Sequence, residues 1–308
     1  MPTPVETLVY WCRERENIRL KKLAGEPGPW TDDEILQTYR FCNVWRREDR
    51  VSKWLCENVL TEANIDYDLR SFLMFSAWCR FVNWPPTIQA AMEEGFYPKK
   101  RIDWKKLGRF TDNLGRLGQK VWTGAYMIRA PKKAGMWKGK FVSEVVIGTN
   151  FKKVLPALVK QIKPQPGGQA SYYSVWETLR TINGYGSFYA GQIAGDWTYT
   201  PLLDEAKDLT TFAPLGPGSV RGFNRLMGIT PITKRPSWDL WLEKLAEWRA
   251  LIVDELTMRE AIRGMQPPDT YEKLSALDVQ NCLCETDKYL RVLSGEGRPR
   301  AKYTPHTY

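Results

Sequence analysis

Four groups of side chains have the types and spacing to hold a charged leaving group and move a proton. Asp278, Asn281, Glu285 and Lys288 recur at i, i+3, i+7 and i+10. In a helix they form one polar stripe, with Val279, Leu283 and Leu290 turned the other way. Two carboxylates, an amide and an ammonium on one face could orient an amine and take its proton, although Glu285 with Lys288 is also an ordinary helical ion pair. Asn43, Arg46, Arg47 and Arg50 stand at i, i+3, i+4 and i+7, with Asp49 beside them to orient an arginine. A neutral amide among guanidinium groups suits a base edge or a departing phosphate, and the plainer meaning is a solvated basic face.

The other two groups are glycine turns. Asn183-Gly-Tyr-Gly-Ser places Gly184 and Gly186 between two helical stretches, leaving backbone N–H groups near Ser187 at the start of a helix, where the macrodipole favours an anion. An apolar residue before the turn and the small residues Ala190, Gly191 and Ala194 after it give the segment the form of a helix-hairpin-helix. Leu215-Gly-Pro-Gly-Ser-Val-Arg supplies Gly216, Gly218, Ser219 and Arg221, with Arg225 behind, a set suited to phosphate or pyrophosphate. Either turn also reads as a plain connection between helices.

Several chemistries are excluded. The single histidine, His306, lies in the terminal PHTY, so Ser-His and Cys-His nucleophiles and histidine-bound metal are disfavoured. Cysteines 12, 42, 56, 79, 282 and 284 form no CxxC pair and no ligand foursome, so neither a metal centre nor another cofactor is expected. No GxxxxGK[ST] occurs. Forty-five Lys and Arg against thirty-five Asp and Glu, spread along 308 residues to a net +10, favour a polyanionic partner. With no signal peptide, no bilayer-spanning run and unpatterned thiols, the expected location is the cytoplasm of a host cell.

The elements that must position these groups read as helices. Thr31-Asp32-Asp33-Glu34 has capping-box form and predicts a long amphipathic helix over about 32–60, with Phe41, Val44, Trp45, Val51, Leu55 and Val59 on its apolar face. Further helices are expected over 68–81, 84–94, 172–181, 187–194, 237–263 and 271–293, while 137–163 suits a strand or a helix and is read as helix. Pro164-Gln-Pro-Gly-Gly is the clearest linker. The expectation is a mainly α, two-lobed protein, with a lobe over 1–163, a helix-hairpin-helix lobe over 164–295 and a flexible tail over 296–308.

Taken together, Tyr39-Arg-Phe-Cys-Asn-Val-Trp-Arg-Arg-Glu-Asp-Arg, the hairpin running to Asp196, the 216–225 segment and Asp278-Val-Gln-Asn-Cys-Leu-Cys-Glu-Thr-Asp-Lys-Tyr resemble the alpha-glutamyl/putrescinyl thymine pyrophosphorylase family, also met as the helical domain of phage hydroxymethyluracil DNA kinases. The resemblance spans about residues 30–292. It implies a helix-hairpin-helix, DNA glycosylase-like fold acting on 5-hydroxymethyluracil in double-stranded phage DNA, with base flipping. Without a kinase motif, the better match is a transferase that replaces the pyrophosphate of 5-pyrophosphoryloxymethyluracil with an amino acid or polyamine, working beside a hydroxymethyluracil DNA kinase. The alternatives are a DNA glycosylase or lyase, with Asp204 and Asp208 as its nearest aspartates, and a non-catalytic DNA-binding subunit. The residues carried over are Asn43, Arg46, Asp49, Asp196, Asp278, Glu285 and Lys288 for catalysis. Arg47, Arg50, Gly184, Gly186, Ser187, Gly216, Gly218, Ser219 and Arg221 are carried over for DNA and phosphate.

Overall fold

The computed structural model describes residues 3–124, 128, 130–131, 136–162, 168–262, 271–297, 299 and 302–303. Among them the regular structure is helical, and the one strand-like feature is an isolated antiparallel bridge between Tyr39 and Lys302. In chain order the helices are α1 (Pro4–Leu23), α2 (Glu34–Thr38), α3 (Arg50–Asn58), α4 (Glu62–Tyr67), α5 (Leu69–Val82), α6 (Pro85–Glu93), α7 (Trp104–Arg116), α8 (Lys138–Lys140), α9 (Lys152–Ile162), α10 (Tyr172–Arg180), α11 (Gly186–Trp197), α12 (Pro217–Met227), α13 (Trp238–Ile262) and α14 (Ala276–Leu293). A π-helical stretch, Phe141–Phe151, joins α8 to α9, so the ambiguous 137–162 segment is helix.

The chain forms two compact units, Met1–Asp49 with Thr210–Tyr308, and Arg50–Leu209. These divisions fall at other positions than the expected 163/164 boundary, because the first helix and the loop after it pack on the last helices instead of on their sequence neighbours. The Pro164 linker lies mostly outside the described residues.

In the first unit, α13 buries Trp241, Leu245, Trp248, Ile252 and Leu256, a stripe at steps of three and four residues. Helix α1 buries Leu8, Trp11, Cys12 and Ile18, and is started by Thr3, whose hydroxyl accepts the Glu6 N–H at 3.2 Å while the Glu6 carboxylate accepts the Thr3 N–H at 2.6 Å. The closest crossing is α12 on α14. A Cβ at Gly222 would overlap the Leu283 carbonyl, and one at Gly218 would overlap the Cys284 sulfur. Gly222→Ala is therefore expected to cost about 1–3 kcal/mol, read as a lower urea midpoint. Gly115→Ala on α7, whose Cβ would meet Val121 at an ordinary 3.8 Å, is expected to gain about 0.5–1 kcal/mol.

The second unit centres on α5, buried from Ser71 to Val82 and capped by Asp68. Gly148 in the π-helical stretch lets it approach α7, where an added Cβ would lie 3.0 Å from the Trp104 Cβ.

Two expectations are corrected. The 32–60 helix is broken into α2, a 3-10 turn at Arg46–Glu48 and α3, and its N-cap is Asp33, which accepts the Ile35 and Leu36 N–H groups, rather than Thr31. The described part of the tail is held: the Tyr303 N–H donates to the Thr38 carbonyl at 2.9 Å, and the Lys22 ammonium stands 4.5 Å from the Tyr303 ring centre. His306 lies outside the described residues.

Candidate functional site

The break in the predicted long helix creates the site. At Cys42, Asn43 and Arg46 the backbone gives its N–H groups to side-chain carboxylates instead of to carbonyls one turn back. The Cys42 N–H donates to Glu285 at 2.9 Å, the Asn43 N–H to Asp49 at 2.8 Å and the Arg46 N–H to Asp278 at 2.9 Å. Charge-assisted bonds of this kind are about twice as strong as neutral ones, so the loop gains what the helix would have supplied. Arg15 secures it from α1, donating to the Cys42 carbonyl and the Asn43 side chain, both at 3.1 Å. Arg15 is only 8% exposed. Sequence reasoning missed it, although an arginine on the apolar 8/11/12/18 stripe was the available signal.

The α14 stripe exists, but both of its acids are buried. Asp278 is 6% exposed, and its carboxylate takes the Arg46 N–H together with the Ser275 N–H and hydroxyl, completing the capping box of α14. Burial raises its pKa. It is a structural clamp. Glu285, 4% exposed, is fixed by the Cys42 N–H and by Lys288 at 2.5 Å. Burial alone would lower the Lys288 ammonium, but Glu285 and the Cys42 thiol outweigh it and the pKa rises. Asn281, between them on the stripe, keeps a buried side-chain NH2 with no partner.

Asp49 differs. Burial pushes its carboxyl up to about 6, against the lowering N–H of Asn43, and the neighbouring Glu285 charge raises it further. A group poised there can take a proton near neutral pH. The Asn43 side chain is structural, its amide donating to the Glu48 carbonyl at 2.8 Å. Arg46 is buried and Arg47 exposed on the 3-10 turn, while Arg50 opens α3 in the second unit, so the four do not form the helical face expected of them.

The start of α12 lies against the same part of α14. Ser219 Oγ accepts the Gly216 N–H at 3.2 Å and the Gln280 amide at 3.0 Å. Gly216 and Gly218 thus provide close approach to Gln280 and Cys284, a packing reason for glycine besides anion binding. Burial and Glu285 push the Cys284 thiol up to about 11, while the charges of Lys288 and Arg221 pull it down. Asp287, fully buried, holds Arg221 at 3.1 Å, Arg225 at 2.8 Å and Arg291 at 3.7 Å.

The remaining expected residues lie in the second unit. Gly184 and Gly186 are exposed with φ of 98° and 60°, and Ser187 follows them into α11. Asp196 is not in an open site. It is 1% exposed and bound by Arg80 at 2.6 and 2.5 Å, and Arg80 also donates to Asn83 at 2.9 Å. Asp208 caps α10, accepting the Tyr172 and Tyr173 N–H groups at 2.7 and 2.9 Å. Among the described residues no cluster of His, Cys, Asp and Glu could hold a metal, and no helix is long and apolar enough to cross a membrane.

Comparison with known proteins follows this arrangement. A 5-hmdU DNA kinase of Bacillus phage SP10 is 31% identical over 122 residues, a match covering 39% of this chain and 19% of that kinase. No solved structure matches. The family model described as the helical domain of 5-hmdU DNA kinase matches residues 3–298, so every residue of the Asp49, Glu285 and Lys288 cluster falls within it, and the chain belongs to that family.

Proposed function

We propose that this chain is a transferase of phage DNA hypermodification, replacing the pyrophosphate of 5-pyrophosphoryloxymethyluracil in DNA with an amine. The observation that carries the reading is the convergence, within one unit, of Asp49, Glu285 and Lys288 with Arg221 and the first turn of α12. The family match supplies the 5-hydroxymethyluracil context.

In this reading the amine nitrogen attacks the exocyclic CH2, the C–O bond breaks and pyrophosphate leaves with the bonding electrons. The nitrogen then gives one proton to Asp49. The substrate brings its own activated leaving group, so the protein's tasks are orientation, charge neutralisation and proton removal. Arg221, Lys288 and the α12 amides face the departing pyrophosphate. Asn281 offers its unpartnered NH2 to the base or the amine. Glu285 positions Lys288 and keeps Asp49 basic by its charge. Asp278 holds Arg46 in the loop, and the Gly184–Ser187 turn grips a DNA phosphate as in a helix-hairpin-helix. Reaching the methylene requires the base to leave the stack. For a glycosylase, Asp208 is engaged as a helix cap, which leaves the exposed Asp204 as its nearest aspartate.

The test is incubation of the full chain with DNA carrying 5-pyrophosphoryloxymethyluracil and glycine, glutamate or putrescine, followed by nucleoside mass spectrometry. A new aminomethyl nucleoside with released pyrophosphate is expected. Free base or abasic sites would instead mark a glycosylase, and binding without turnover a recruiting subunit.

A further inference from the structure

Although Lys and Arg recur along the whole chain, their excess over Asp and Glu falls largely in one segment. Residues 93–140 hold thirteen Lys and Arg against four Asp and Glu, nine of the net ten positive charges. All of this segment belongs to the second unit.

Its structure organises the charge. On α7, Lys105, Arg109 and Arg116 are exposed and share a face at i, i+4 and i+11. The acid within that face, Asp112, is turned to the backbone, accepting the Gly139 and Lys140 N–H groups at 2.7 and 3.0 Å. Beyond the end of α7, cations and indoles alternate. Arg116 lies 4.9 Å from the centre of the Trp137 ring, Lys138 lies 4.2 Å from Trp122, and Lys120 lies 3.8 Å from Trp84. Trp137 is itself 54% exposed. The loop carrying Lys120 and Trp122 is strapped down by Thr87 Oγ1 donating to the Val121 carbonyl at 3.1 Å and by the Thr123 N–H donating to Val82 at 3.3 Å. Free lysines on a flexible loop would lose side-chain entropy on meeting phosphates. Here the indoles already hold the cations in place.

We propose that this face, α7 with the 117–124 loop and Trp137–Lys140, is where the phosphate backbone of duplex DNA rests. It deepens the transferase reading by naming the surface that docks the substrate, and its regular spacing along a rigid helix suits a duplex better than a single strand. Contacts of this kind are independent of sequence and dominate the salt dependence of binding.

The experiment measures Kd of the full chain for an unmodified 20-base-pair duplex by fluorescence anisotropy across salt concentrations. Neither amine nor pyrophosphate is present, so the result is separate from whether transfer occurs. Combining Arg109→Gln, Arg116→Gln and Lys120→Gln is expected to lower the slope of log Kd against log salt by about 2–3 and to weaken binding at least tenfold at low salt. The same charge removed at Lys152, Lys153 and Lys160, exposed on α9, is expected to change Kd less than threefold. Equal effects of the two triple variants, no effect of the first, or an effect seen only with a single strand of equal length would each overturn the proposal. Should the first variant unfold, protection of Lys105 and Lys120 of the unaltered chain from amine-modifying reagent by the duplex is expected, and absence of protection has the same overturning force.

Discussion

Asp49→Asn is expected to slow transfer by about 10²–10⁴-fold, the range for loss of a positioned general base, while affinity for DNA changes little. Asparagine retains an oxygen for the Asn43 N–H, so the loop keeps its shape and the lost property is proton acceptance. Two pH readouts separate this from a structural role. In the unaltered chain kcat/KM should rise through an apparent pKa of about 6 as Asp49 ionises. Stability should move the opposite way. The folded pKa of Asp49 is raised from 3.8 to about 6, so its protonated form favours the fold. That contribution is full below about pH 4 and is lost as pH climbs through 6. Asp49→Asn should therefore be relatively more stable than the unaltered chain at pH 8 and not at pH 4. An Asp49→Asn protein that keeps full transfer would remove the proton-acceptor role, whatever its stability profile.

Asp196→Asn is expected to act through folding. It leaves Arg80, 2% exposed, without its counter-charge, and removing one member of a buried pair typically costs about 3–5 kcal/mol. In a protein of this size that lowers Tm by roughly 6–20 °C. Transfer by the fraction still folded should be close to normal at low temperature, with KM unchanged. Replacing both partners, Arg80→Met with Asp196→Leu, should recover much of the stability because no charge is then left buried. Lost activity at unchanged Tm would instead return Asp196 to the catalytic residues.

The sequence reveals elements whose information is local. Helices α5, α6, α10, α11 and α13 lie close to where periodicity, Pro85-Pro86 and the glycine turns put them, because stripe and cap reside in the same segment. α1 was equally legible from Thr3, Pro4 and Glu6 but lies outside the motifs that drew the reading. The 39–49 loop was not legible. Its apolar residues fit a helical face, and what prevents the helix is three carboxylates, two of them more than 230 residues away, competing for its amides. The α14 stripe was legible from its spacing, but the burial of its acids was not. Spacing marks Glu285 and Asp278 as candidate proton acceptors, whereas burial and N–H bonds engage both, and Asp49, held by one backbone N–H, is the carboxyl pushed up to about 6. The basic residues of Lys99–Lys106 lie together in one stretch of sequence, but the indoles that order the neighbouring cations, Trp84, Trp122 and Trp137, come from three separate stretches.

In the proposed reaction the pyrophosphate is held where α14, the start of α12 and the 39–49 loop meet. This placement is tested most directly by a crystal structure of the Asp49→Asn chain, stalled before transfer, with an oligonucleotide carrying one 5-pyrophosphoryloxymethyluracil. Pyrophosphate oxygens are expected within hydrogen-bonding distance of Arg221 and Lys288, with the base methylene turned towards residue 49. A pyrophosphate bound at the Gly184–Ser187 turn or elsewhere in the second unit, with Lys288 and Arg221 untouched, would contradict it.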